Sequence, residues 1–110
     1  MAGVIRINSV ENVTISDLTI TNGNANYNGG GIYFNSSSSP SLVNCIIWNN
    51  SLQQVEFDDS YYPNTITIAY SDIDGGFGGI ETNGNGTVNW LEGNIDADPI
   101  FWMQKREIIF

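Results

Sequence analysis

The feature that most constrains this fold is a hydrophobic pattern that repeats every 26 or 27 residues. Three predicted inward positions recur without a gap in successive copies: Ile15, Leu18 and Ile20, then Leu42, Cys45 and Ile47, then Ile68, Ser71 and Ile73. Within each copy, apolar and polar residues alternate over short runs rich in β-branched residues, which is typical of strands. Asn, Gly, Ser and Asp between the runs supply turns. The pattern therefore predicts several short strands per copy and no regular helix.

A second strand pattern also recurs, first at the same spacing and then at shorter steps, so loop length varies while the strand pattern holds. It begins at residues 4–9, aligns with residues 31–36, and returns at residues 55–57 and 80–82. A single copy cannot bury its apolar face alone, so successive copies must stack as a solenoid. An antiparallel sandwich is the alternative, because Asn22-Gly23 and Asn28-Gly29 are typical of hairpin turns. The registration between copies favours the solenoid.

Asparagine recurs at one turn of the repeat. Asn22 and Asn49 fall at the same position of successive copies. Stacked asparagines can donate and accept hydrogen bonds along a ladder. Asparagine also tolerates left-handed backbone better than most residues, and the two interpretations are compatible. The ladder is expected to stop at the next copy, where Gly75 stands.

The charge of the chain excludes several classes of partner. Twelve acidic and three basic residues give a net charge of −9, so nothing here can neutralise the phosphates of nucleic acid. An anionic membrane surface is disfavoured for the same reason.

One cysteine and no histidine give no support for a disulfide framework, a zinc site or a nucleophile. Cys45 is predicted to be a small core residue. No apolar run approaches the length of a membrane span, so membrane insertion is not expected.

The two ends of the chain leave two interpretations, a protein that stays in the cytoplasm and a segment of a longer secreted protein, and they favour the second. Residues 1–6 lack the charged and apolar regions of a signal peptide, yet the repeat is already in register at Val4. Residues 102–110 abandon the Asn- and Gly-rich composition and hold two of the three basic residues. Codons for this tail can be chosen so that a frame shifted by one base encodes LDAEKGDY, which continues the acidic composition. Our hypothesis is that residues 1–101 form coils and that residues 102–110 are an atypical, frame-shifted tail.

Three stretches resemble a known family: ISDLTITNGNANYNGGGIYFNSSSSPSLVNCIIWNNS, ITIAYSDIDGG and GNIDADPIF. They are similar to coils of bacterial secreted proteins of the right-handed parallel β-helix class, the pectin-lyase-like superfamily. The resemblance covers roughly residues 4–101. It implies an all-β, right-handed parallel solenoid of about three to four coils, excised from a longer domain. The family includes polysaccharide lyases and hydrolases, adhesins and other surface proteins, so it does not imply one activity.

Four aspartates are candidate calcium ligands. Asp72 and Asp74 stand two residues apart on one outward strand face, and Asp96 and Asp98 repeat that spacing. Such carboxylates bind Ca²⁺ when a loop supplies further oxygens. The alternative interpretation is that they are solvated acids at strand edges, which oppose aggregation. The resemblance implies a calcium ion with a basic residue in the lyases and clustered aspartates in the hydrolases, but no acid pair stands beside Arg6 in register. We therefore expect no cofactor other than calcium and assign no catalytic residue.

Exposed aromatic residues suggest contact with glycans. Tyr33 and Glu56 belong to an outward column that also contains Arg6 and Glu81, and Trp48 is predicted to point outward from another strand. Amphipathic rings offer flat faces to sugars, although single exposed aromatics are common without any function.

The leading interpretation is a non-catalytic extracellular or cell-surface module, structural or adhesive, that contacts a polysaccharide or cell-surface glycan. The alternative is a fragment of a polysaccharide lyase or glycoside hydrolase of the β-helix class whose catalytic coils lie elsewhere. A free-standing structural protein that pairs through its ends is a third interpretation. Solenoid ends without caps predict self-association.

Overall fold

The computed structural model describes residues 5–9, 11–25, 30–35, 38–59 and 62–100. Residues 102–110 lie outside this part, so the frame-shift hypothesis stays a prediction. The described strands are β1 (Ile5–Asn8), β2 (Glu11–Ser16), β3 (Thr19–Thr21), β4 (Ile32–Asn35), β5 (Ser39–Val43), β6 (Ile46–Trp48), β7 (Val55–Phe57), β8 (Asn64–Ala69), β9 (Asp72–Ile73), β10 (Ile80–Glu81) and β11 (Gly86–Trp90). A short 3-10 helix, Gly76–Gly79, precedes β10.

The strands form three parallel sheets. Sheet A has the order β1-β4-β7-β10, sheet B has the order β11-β8-β5-β2, and sheet C has the order β3-β6-β9. The chain visits sheets B, C and A in turn, and each such coil adds one strand to every sheet. Pairings between the described strands are all parallel, so the hairpin alternative is wrong. In the same part of the chain, no helix has the length and apolar character needed to cross a membrane.

The predicted register between copies is confirmed. Equivalent apolar residues pair along each sheet, as Ile5, Ile32, Val55 and Ile80 in sheet A, Ile15, Leu42 and Ile68 in sheet B, and Ile20, Ile47 and Ile73 in sheet C. Neighbouring strands lie about 4.8 Å apart. Each position of the repeat therefore becomes a column of side chains that runs along the axis of the solenoid.

The hydrophobic core lies between the three sheets. Sheet A contributes Phe34 and Phe57, whose ring centroids are 5.8 Å apart. Sheet B contributes Ile68 and sheet C contributes Ile47, and all four side chains are fully buried. Cys45 is 1% exposed and packs in the same cluster, as predicted. One continuous core therefore passes through every coil.

The chain turns from sheet B to sheet C through two residues after β2, after β5 and after β8. The first residue of each of these three turns has left-handed backbone: Asp17 (φ 59°), Asn44 (φ 57°) and Tyr70 (φ 51°). The connection from sheet C to sheet A is longer and varies, over residues 22–31 in the first coil and residues 49–54 in the second. The connection from sheet A to sheet B varies as well, over residues 58–63 before β8 and residues 82–85 before β11. The repeat therefore combines one fixed corner with two variable corners.

A proline lies inside a central strand of sheet B. Pro40 of β5 has no N–H to donate to a neighbouring strand. The register slips opposite this residue, because β2 has one extra residue between the positions that pair with Ser39 and Ser41. The extra residue forms a β-bulge in which Asn12 has a φ of 55°. The alternation of the sequence predicts neither the bulge nor a strand that begins at Ser39.

Both ends of the described stack present strand edges. β1, β2 and β3 form one end, and β9, β10 and β11 form the other. Leu18 was expected in the inward column of Cys45 and Ser71, but it is 44% exposed. This expectation is wrong because Leu18 lies in the first full coil, where no described coil covers it. Cys45 and Ser71 are buried as predicted.

We expect Ile68→Ala to lower the free energy of unfolding by about 2–5 kcal/mol, because truncating a fully buried aliphatic side chain leaves a cavity. Leu52→Ala is the control, since Leu52 is 52% exposed and surface substitutions cost about 0.5 kcal/mol or less. Urea denaturation followed by circular dichroism measures both variants. Equal losses would contradict the position of Ile68 in the core.

Candidate functional site

The outer side of sheet A carries an ordered set of polar side chains, which we call the sheet A face: Arg6, Asn8, Tyr33, Asn35, Glu56 and Glu81. Arg6 pairs with Tyr33, Tyr33 with Glu56, and Glu56 with Glu81, so the predicted column exists. Asn8 and Asn35 pair in the neighbouring column. The face therefore presents one cation, one aromatic ring, amides and carboxylates at the spacing of the strands.

Tyr33 lies between a cation and two carboxylates. The guanidinium carbon of Arg6 is 5.9 Å from the centroid of the Tyr33 ring, within the range of a cation–π interaction. Partial burial raises the pKa of the Tyr33 phenol, and the carboxylates of Asp58 and Glu56 raise it further, while Arg6 opposes the rise. The phenol therefore remains protonated and can donate a hydrogen bond throughout the physiological pH range.

Glu56 points outward but is covered. The residue is 9% exposed, and its Oε2 accepts a hydrogen bond from Asn83 Nδ2 at 3.0 Å. The same amide group donates to the Phe57 carbonyl at 2.7 Å. Asn83 therefore fixes the Glu56 carboxylate in place, and Glu81 is the exposed carboxylate of this column.

Trp48 does not join the sheet A face. It is the last residue of β6 in sheet C, is half-buried, and pairs with Thr21. Sheets A and C form different sides of the solenoid, so the structure brings Tyr33 and Glu56 together and leaves Trp48 apart. Glycan contact at these three residues stays a prediction, and a single compact site does not contain all of them.

The first two candidate calcium ligands bind backbone N–H groups of other coils. Asp72 was expected on an exposed face but is only 8% exposed, and its Oδ1 accepts from the Ala97 N–H at 3.0 Å. Asp74 Oδ2 accepts from the Asn49 N–H at 3.1 Å. Each carboxylate therefore holds two successive coils together.

In the second pair, Asp96 also binds a backbone N–H group of another coil, whereas Asp98 binds one only two residues further along the chain. Asp96 Oδ1 accepts from the Gly75 N–H at 3.1 Å, and Asp98 Oδ1 accepts from the Ile100 N–H at 3.0 Å. Across the described ranges, no three or more Cys, Asp or Glu side chains are arranged to hold a metal ion. Calcium binding at these aspartates stays a prediction.

A buried polar corner between sheets A and B was missed from the sequence. Asn64 is 1% exposed, donates through Nδ2 to Asp58 Oδ1 at 2.9 Å, and accepts from the Ser38 N–H at 2.8 Å. Asn85 Nδ2 donates to the same Asp58 oxygen at 3.1 Å. The sequence did contain one signal for this corner: Asn64 begins β8 and Asn85 directly precedes β11. The corner compensates a buried carboxylate with two amides, so its role is structural.

The asparagine ladder is confirmed. Asn49 Nδ2 donates to Asn22 Oδ1 at 2.9 Å, and both residues have left-handed backbone. The ladder ends at Gly75, which has a φ of 85°. The adjacent Asn50 is buried and accepts from the Gly23 N–H at 2.7 Å, so this corner joins coils through a second amide.

Comparison with known proteins agrees with this architecture. A family model described as "Right handed beta helix region" matches residues 2–102. No curated protein and no solved structure gives a significant match to the chain. The match covers all of the described strands, and it bears on the fold rather than on a ligand.

We expect alkaline pH to destabilise the protein partly through Tyr33. The folded-state pKa of Tyr33 is raised, so its contribution to stability is complete below the unfolded-state pKa of about 10. That contribution is lost as the pH rises through the folded-state pKa. Tyr33→Phe should flatten the fall in unfolding free energy over this window, measured by urea denaturation at successive pH values. An identical slope in the wild type and the variant would contradict the shift.

Proposed function

Because the chain belongs to the right-handed β-helix family, we propose that it is a non-catalytic module of an extracellular or cell-surface protein with a structural or adhesive role. In this proposal the solenoid is a rigid support, and the sheet A face contacts a polysaccharide or cell-surface glycan. The observation that carries the proposal is the column of Arg6, Tyr33, Glu56 and Glu81, in register across four strands.

A glycan matches the chemistry of this face. Sugars present hydroxyls that donate and accept hydrogen bonds, together with apolar ring faces that pack on aromatic rings. Arg6 and Asn8 supply donors, Glu81 supplies an acceptor, and the half-buried Tyr33 supplies the ring. Pairing with neighbouring strands already orders the backbone that carries these groups. Binding therefore does not have to order the backbone, which lowers its entropic cost.

The alternative function is catalysis by a fragment of a polysaccharide lyase or glycoside hydrolase. Glycoside hydrolysis requires two carboxylates that flank the substrate. Asp72 and Asp74 each accept a backbone N–H, and Glu56 is held by Asn83, so each of these carboxylates has a structural role. These contacts favour the non-catalytic proposal, whereas cleavage of a polyuronate or another polysaccharide would favour the enzyme.

We expect Tyr33→Ala to weaken binding about tenfold to a glycan identified by array screening. The reason is the lost ring contact, worth about 1 kcal/mol or slightly more. Phe77→Ala is the control, because Phe77 is an exposed ring outside sheet A. Calorimetry on both variants measures the affinities. Equal losses, or no bound glycan on the array for the wild type, would contradict the proposal.

The strand edges support a second partner, which is another copy of the chain. Among the strands that the structure describes, β2 and β11 are the two edges of sheet B. Unpaired edges recruit further strands, and a head-to-tail contact between parallel edges repeats without closing.

We expect the average mass to rise with concentration, as measured by size-exclusion chromatography with light scattering. Thr14→Lys places a charge on edge strand β2 and should reduce the association. Thr67→Lys is the control, because β8 is paired on both sides. A monomer at every concentration would contradict this second proposal.

A further inference from the structure

A groove of about 390 Å³ lies on the outer side of sheet C, next to the turns that lead from sheet B into sheet C. Residues of three successive levels form its walls: Asn44 and Ile46, then Tyr70 and Asp72, then Ile95 and Pro99. None of them belongs to the sheet A face, so the groove is independent of the proposed glycan contact.

Asp72 presents one carboxylate oxygen to this groove. Its Oδ1 accepts from the Ala97 N–H, and no protein donor among the described residues contacts its Oδ2. Every fully buried side-chain oxygen or nitrogen in this part of the chain has a partner, so Oδ2 must reach solvent. Asp72 is 8% exposed and lines the groove, so the groove is where this oxygen can meet solvent or a ligand. A carboxylate in such surroundings attracts a cation more strongly than one in open water.

Tyr70 forms an aromatic wall of the groove. Its ring lies against Gly93, where any Cβ atom would overlap the ring. Its hydroxyl donates to Glu92 Oε2 at 2.9 Å. The ring is therefore held in place while remaining 52% exposed, and Glu92 adds a second carboxylate near it. A tyrosine ring held in this way attracts a cation through its face.

We propose that this groove binds an alkylammonium group, with the ammonium on Asp72 Oδ2 and the methylene stem against Ile46, Ile95 and Pro99. An ammonium has three donors for carboxylate oxygens and no acceptor, and its stem packs on apolar walls. A calcium ion would require six to eight oxygen ligands, and the apolar walls do not supply them. The net charge of −9 also attracts cations at long range.

A lysine side chain of a partner protein and a free polyamine share this chemistry. Both end in a primary ammonium on a chain of methylene groups. Separate probes can therefore test the shared chemistry first and its source afterwards.

The first experiment titrates n-butylammonium chloride into the isotope-labelled chain and follows the backbone amide signals by nuclear magnetic resonance. We expect saturable shifts at Tyr70, Asp72 and Ile95 with a Kd on the order of 1–10 mM. The uncharged n-butanol and glucose should give no saturable shifts at these residues. Absent shifts with the amine, equal shifts with n-butanol, or preferential binding of glucose would overturn the proposal.

Asp72→Asn keeps an oxygen for the Ala97 N–H and removes the charge, so we expect it to raise the Kd about tenfold or more. Asp74→Asn is the matched control, because it makes the same charge change two residues away and outside the groove. It should change the Kd by less than about twofold at physiological salt, and an equal loss in both variants would overturn the proposal.

Tyr70→Leu keeps an apolar wall but removes the aromatic ring, so we expect this variant to bind n-butylammonium more weakly. It tests the proposal independently if Asp72→Asn does not fold. An unchanged Kd in this variant would overturn the role of the ring.

Two further probes distinguish the two sources of the ammonium group. Tighter binding of Nα-acetyl-lysine methylamide supports a protein partner, and tighter binding of spermidine supports a polyamine.

Discussion

Hydrogen bonding between coils is the constraint on which the rest of this structure depends. A parallel strand finds its partners only in the coils above and below it, as the Asp72 N–H does at the Cys45 carbonyl (2.8 Å). At the corners the backbone leaves the regular ladder, and a buried group left without a partner costs about 1–3 kcal/mol. Side chains such as Asn50 and Asp74 cross from one coil to the next to satisfy these groups. Asp72 and Asp96 serve the same need at other corners.

The same stacking organises the surfaces. Register turns each outward position into a column, so the sheet A face is a regular array rather than a pocket. The groove at Asp72 has a different origin, because the described residues after β11 form no regular strand: Ile95 makes an isolated bridge with Asp72, and the Ala97 N–H donates to the Asp72 carboxylate. The regular array suits an extended ligand and the groove suits a single small group. The two proposed contacts therefore differ in kind as well as in place.

The sequence predicts the columns well because they depend on equivalent positions of a repeat. Ile15 over Leu42 and Asn22 over Asn49 follow from spacing alone. The cover on Glu56 could not be predicted, because it depends on where a turn carries Asn83, a residue 27 positions later. The separation of Trp48 from Tyr33 was missed for a related reason. Alternation distinguishes inward from outward, but it does not give the angles between sheets.

The two kinds of corner give this fold an uneven tolerance to changes in chain length. Along a strand, side chains alternate between the inside and the outside, so a shift of one residue exchanges the two sets. The two-residue turn from sheet B to sheet C transmits any insertion directly into the next strand. The longer connection from sheet C to sheet A can absorb added residues at a small entropic cost. Insertions that bring new chemistry can therefore accumulate beside sheet A. The turn between sheets B and C must keep its length, because that length holds the strands of successive coils in register.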